Sequence, residues 1–169
     1  MANVPIYLSP LSSFPPASNA ATLATVALSA SSDPVPVLAF DASTDESAIF
    51  QLAVPDYASG SPTLEIRWTA ASATSGDVIW GAQLLALTPN TDSGALSGEA
   101  YATANTATDT HLGTNAGRAH TVTITISNLD SLTAGDLVWI KVYRDADAGG
   151  DTMTGDAYLI DALFTYSNS

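Results

Sequence analysis

Apolar and polar residues alternate with a period of two along most of the chain between Ser61 and Tyr166. The clearest runs are Leu64-Glu65-Ile66-Arg67-Trp68, Thr121-Val122-Thr123-Ile124-Thr125-Ile126 and Tyr158 to Tyr166. A period of two sends successive side chains to opposite faces of a strand, so the pattern predicts an all-β body. Strands are expected at Val37 to Ala42, Ala48 to Val54, Thr63 to Thr69, Val78 to Leu87, Glu99 to Thr106, Thr121 to Ser127, Leu137 to Arg144 and Tyr158 to Tyr166. About eight short antiparallel strands separated by turn residues favour a jelly-roll or related Greek-key β-sandwich. Ser75-Gly76-Asp77, Ala134-Gly135-Asp136 and Gly149-Gly150-Asp151 supply the turn chemistry where the chain must reverse.

Two strands are apolar on both sides. In Leu137 to Tyr143 one face carries Val138, Ile140 and Val142, and the other carries Leu137, Trp139 and Tyr143. In Val78 to Leu87, Val78, Trp80 and Leu84 alternate with Ile79, Leu85 and Leu87. A sandwich with one wet face per sheet gives clean alternation, so these residues call for a cover on the outer face, either the N-terminal segment or another subunit. Three large side chains removed from water at ~1.5 to 3 kcal/mol each would support association, and a homo-oligomer is expected.

Residues 1–36 differ from the body (37–169) in holding Pro5, Pro10, Pro15, Pro16, Pro34 and Pro36 among Ala, Ser and Thr. Proline fixes φ and lacks a donor, which predicts an extended arm able to reach on the order of 100 Å. A short strand or helix at Ala20 to Ala30 is compatible with that reading. The arm's apolar residues Val4, Ile6, Tyr7, Leu8, Leu11 and Phe14 have no core of their own and call for a partner surface.

Charge narrows the partners. Seventeen acidic against 4 basic residues give a net charge of −13, which opposes direct binding to nucleic acid or to an anionic membrane. No stretch reaches the roughly 18 apolar residues of a spanning helix, and the start Met-Ala-Asn-Val-Pro lacks the plan of a secretory signal. With no cysteine, neither a disulfide nor a thiolate metal site can staple the fold.

Candidate chemistry is sparse. Asp145, Asp147, Asp151 and Asp156 loosely imitate the spacing of a calcium loop. Gly149 stands where an oxygen ligand is needed and the flanks read as strands, so a solvated hairpin is the favoured reading and no cofactor is expected. His111 and His120 are the only histidines and are expected at a loop surface and a strand edge. No nucleophile-elbow pattern accompanies them. Glu65 and Arg67 share a strand face and are expected to pair on a wet surface. Trp68, Trp80 and Trp139 suit either the core and interfaces or a sugar-binding platform, with core or interface favoured.

Two segments resemble a known class. They are Ile66-Arg-Trp-Thr-Ala-Ala-Ser-Ala-Thr-Ser-Gly-Asp-Val-Ile-Trp-Gly-Ala-Gln83, and Leu137-Val-Trp-Ile-Lys-Val-Tyr-Arg-Asp-Ala-Asp147 continued by Asp156-Ala-Tyr-Leu-Ile-Asp-Ala-Leu-Phe-Thr-Tyr166. Over residues 37–166 the chain resembles small β-sandwich structural proteins of tailed bacteriophages, including capsid decoration (cement) proteins. The resemblance implies a non-enzymatic homotrimer made in the host cytoplasm. On the outer capsid surface it would clamp joints between major capsid protein subunits. The alternative is a receptor- or carbohydrate-binding module of a phage tail or fibre.

Overall fold

A computed structural model describes residues 2–168. It contains β1 (Asn3–Leu8), β2 (Ser13–Phe14), β3 (Thr22–Ala27), β4 (Pro34–Phe40), β5 (Glu46–Val54), β6 (Thr63–Ala70), β7 (Asp77–Leu87), β8 (Asn105–Thr110), β9 (His120–Thr125), β10 (Asp136–Arg144) and β11 (Ala157–Ser167). The strands form two antiparallel sheets packed as a jelly-roll β-sandwich. The first sheet runs β3-β4-β11-β6-β9 and the second β2-β5-β10-β7-β8. Eight strands, β4 to β11, lie in or overlap the body anticipated from alternation. The strand expected over Glu99 to Thr106 instead begins at Asn105, after a single 3-10 turn at Leu96–Gly98.

The inward residues of both sheets make one core. Trp68, Trp80, Phe40, Phe50 and Phe164 are sealed from solvent, and Phe40 meets the Trp80 ring edge-on at 5.1 Å, a favoured aromatic geometry.

The N-terminal segment does not reach away from the body as an arm: β1, β2 and β3 are hydrogen-bonded into the two sheets of their own chain. β1 pairs with β11 from Asn3–Ser167 to Leu8–Ala162, continuing the line of β4, which pairs only with Ala157 to Leu159. A β-bulge at Ile160 on β11 separates the two partners. β2 pairs with β5, and β3 forms a hairpin with β4. The prolines are accommodated at edges: Pro34 and Pro36 pair with β3 alone, beyond the reach of β11, so a missing N–H interrupts no central ladder. Leu8 is buried, and Val4 and Ile6 pack on the core. Tyr7, Leu11 and Phe14 stay exposed. Tyr7 lies 5.6 Å from the Arg67 guanidinium of the same chain, within cation–π range.

Both histidines also depart from expectation. His111 and His120 are 5% and 4% exposed. His120 sits opposite Trp68 in the β6–β9 register, on the inward side shared with Ile124, and stacks on that indole at 4.4 Å.

Candidate functional site

Of the half-buried aromatics of the body, Tyr101, Trp139 and Tyr143 gather on the outer side of the second sheet, and Tyr158 lies on β11 of the first. Along β10 the inward Val138, Ile140 and Val142 are fully buried, while Leu137, Trp139, Lys141 and Tyr143 are half-buried on the other side. Register fixes their neighbours: Trp139 lies between Gln51 and Leu85, Lys141 between Ile49 and Gln83, and Tyr143 between Ser47 and Gly81.

Two adjoining hollows follow. The first, about 290 Å³, is lined by Phe14, Ile49, Gln51, Tyr101 and Trp139. The second, about 170 Å³, is lined by Asp45, Glu46, Ser47, Gln83, Lys141 and Tyr143. They meet at the register pair Ile49–Lys141. From β2 across β5 and β10 to β7 is three strand spacings, roughly 14 Å. The face therefore offers a shallow trough, with Phe14, Tyr101 and Trp139 beside Gln51 at one end and Gln83, Lys141, Asp45 and Glu46 beside Tyr143 at the other.

Local structure holds these groups in place. The segment preceding β8 runs beside β7, with Ala102 N–H donating to the Leu84 carbonyl at 2.8 Å and Gln83 Nε2 donating to the Ala102 carbonyl at 3.2 Å. That anchoring brings Tyr101 to the trough. The tip of the Tyr143 ring occupies the space where a Cβ on residue 81 would sit, so a side chain there would push the ring aside. Burial raises the Tyr101 and Tyr143 phenols above their ordinary range, with the Asp145 and Asp45 carboxylates adding to it at Tyr143.

Of the residues singled out in sequence, Trp139 and Tyr143 lie in this trough and Phe14 borders it. Leu137, Ile79 and Leu87 lie half-buried on the same face, and Leu85 is buried there beside Trp139. Trp68 and Trp80 are core residues instead. Tyr101, Gln51, Gln83 and Lys141 carried no motif. The two-sided apolar pattern of Leu137 to Tyr143 marks that face in the sequence, and Lys141 interrupts its outward row.

The acidic loop is arranged differently from a calcium loop. Asp151 makes a two-pronged ion pair with the buried Arg144, through Nε at 3.0 Å and Nη2 at 2.7 Å, and also accepts the Ile79 N–H. Arg144 further donates to the Met153 and Gly155 carbonyls, so it pins the loop. Asp145 and Asp147 are joined by Asp45, the three offering carboxylate oxygens within 4.8 Å of one another; Asp156 lies outside that group. Burial, then repulsion from Asp45, Asp147 and Asp151, raises the Asp145 carboxyl. Glu65 and Arg67 pair at 3.0 Å on the first sheet's outer face, with Asp161 as a second partner at 3.4 Å. His111 bonds only loop backbone, at Gly113 and Ala116, and the His120 ring nitrogens have no partner.

The sandwich is similar in fold to carbohydrate-binding modules. A module specific for non-crystalline cellulose superposes with a TM-score of 0.50 at 13% identity, over 84% of this chain and 79% of that one. A xylan-binding module aligns over 99% of both chains at 16% identity and a TM-score of 0.43. A domain of a multidomain xylanase from the hindgut metagenome of Trinervitermes trinervoides aligns over 98% of this chain and 99% of that one, at 12% identity and a TM-score of 0.42. No protein-family model matches the sequence, and no curated protein is significantly similar to it.

Proposed function

We propose that the chain is a non-catalytic binding module that holds a glycan on the outer face of its second sheet. The observation that carries this reading is the trough itself. Trp139, Tyr101 and Phe14 offer flat apolar surface to the C–H face of a sugar ring, and Gln51, Gln83, Lys141 and Glu46 stand alongside to meet its hydroxyls. Aromatic walls with a few placed polar groups are what a ligand site needs. A shared sandwich fold with a cellulose-specific module gives the reading a frame, while the residues of this chain give it content.

Decoration of a phage capsid, with a homotrimer bridging major capsid protein subunits, is the second reading. One observation favours it: large apolar residues are left bare along the N-terminal segment. The structural neighbours lend it no support.

Native electrophoresis through gels carrying soluble hydroxyethylcellulose, xylan, mixed-linkage glucan or galactomannan tests the proposal. The chain should be retarded by at least one of these polymers, and Trp139→Ala should migrate as in an empty gel. Free migration in every gel, together with co-sedimentation on expanded phage heads, would replace the first reading with the second.

A further inference from the structure

Among the described residues, seven large hydrophobic side chains are exposed, and five of them fall within the first 28 positions: Tyr7, Leu11, Phe14, Leu23 and Leu28. The same stretch is electrically blank. Every one of the 17 acidic and 4 basic residues follows Ser32. Leu11, Phe14 and Leu23 line a hollow of about 230 Å³ with Pro10, Pro15 and Ala21, at the side of the sandwich where β2 and β3 meet. No charged group lines it.

We infer that this edge is where a second copy of the chain docks. Like-charged molecules repel, and with a net charge of −13 two copies meet most easily through a surface free of carboxylates. The partner must also present uncharged apolar surface of its own, and this same patch does so. A two-fold pairing places identical patches face to face, so that Leu11 of one copy can enter the hollow beside Leu23 of the other. The contact is made by side chains. β2 is only two residues long and is followed by Pro15 and Pro16, which lack the donors needed to extend the second sheet edge to edge. This inference is independent of the glycan reading.

Sedimentation velocity on the full chain, from micromolar to millimolar concentration and at low and high salt, tests it. The wild type should self-associate, and more tightly at high salt, because screening relieves repulsion between the acidic bodies while leaving apolar contact intact. Leu11→Asp and Leu23→Asp, both at exposed positions, should each weaken association by about tenfold or more. Leu96→Asp, at an exposed position in the 3-10 turn of the body, should leave it unchanged. Phe14 is avoided because it also borders the trough. Circular dichroism melting of each variant separates lost contact from lost fold. A wild type that stays monomeric at millimolar concentration in high salt, or folded Leu11→Asp and Leu23→Asp variants that associate as tightly as wild type, would overturn the inference.

Discussion

Val138, Ile140 and Val142 are sealed between the sheets, whereas Leu137, Trp139 and Tyr143, one position away on the same strand, keep part of their surface in water. Both sets are large and apolar, so hydropathy alone does not separate them. Their surroundings do. The inward set stands beside Phe50 and Leu84 on the adjoining strands and joins the core with them, while the outward set has Gln51, Gln83 and Lys141 as neighbours. One strand thus carries stability on one side and recognition on the other, and a substitution's effect should depend on whether its position is even or odd.

The largest effect is expected where the two roles meet at the end of β10. Arg144 is wholly buried and its removal strands Asp151, a carboxylate with 1% side-chain exposure. Breaking a buried pair from one side costs about 3 to 5 kcal/mol. Arg144→Met should therefore lower the urea midpoint steeply and free the Asp145–Asp156 loop; an unchanged midpoint would deny the pair its structural role. Next comes the pair of alanine variants that sets the faces apart. Ile140→Ala should lose about 2 to 5 kcal/mol of stability with glycan retention intact below the melting point. Trp139→Ala should do the reverse, losing retention while its stability stays within ~1 kcal/mol of wild type. Equal losses of stability in both would erase the distinction.

A smaller effect should come from pH, and it belongs to the core side. Burial, with the neighbouring His111 next in weight, lowers the His120 imidazole below its usual range; Arg118 acts in the same direction and Asp109 against it. Because the folded state resists protonation, the unfolded chain binds more protons below about pH 6.5. Stability is then full above that value and declines as pH falls toward the depressed folded value. His120→Phe, which keeps a ring on Trp68, should flatten the decline between pH 7 and pH 5 in thermal melts. A slope identical to wild type would show that the buried imidazole does not govern it.

How much of this the sequence carried depends on which contacts are local. The strands β4 to β11 follow from alternation and turn residues, both readable within a few positions. His120 falls in phase with Val122 and Ile124, but a polar residue at a strand entry reads equally well as an edge. The N-terminal strands are obscured because proline reads as a strand breaker unless the unpaired side of its strand is known. The trough was the least legible. Gln51, Tyr101, Gln83 and Lys141 come from four separate stretches and are neighbours only through the β5-β10-β7 register and the segment beside β7. Asp45 likewise reaches Asp145 and Asp147 only because β5 pairs with β10 from Glu46–Arg144 onward.

The claim that the second sheet's outer face is the binding surface is tested most directly by amide NMR during titration with a soluble glycan oligomer matching the polymer that retards the protein. Signals of Gln51, Gln83, Tyr101, Trp139 and Lys141 should shift together and saturate, while those of Glu65, Arg67 and Asp161 on the opposite face stay still. Saturable shifts confined to the first sheet, or none anywhere on β5, β7 and β10, would contradict the account.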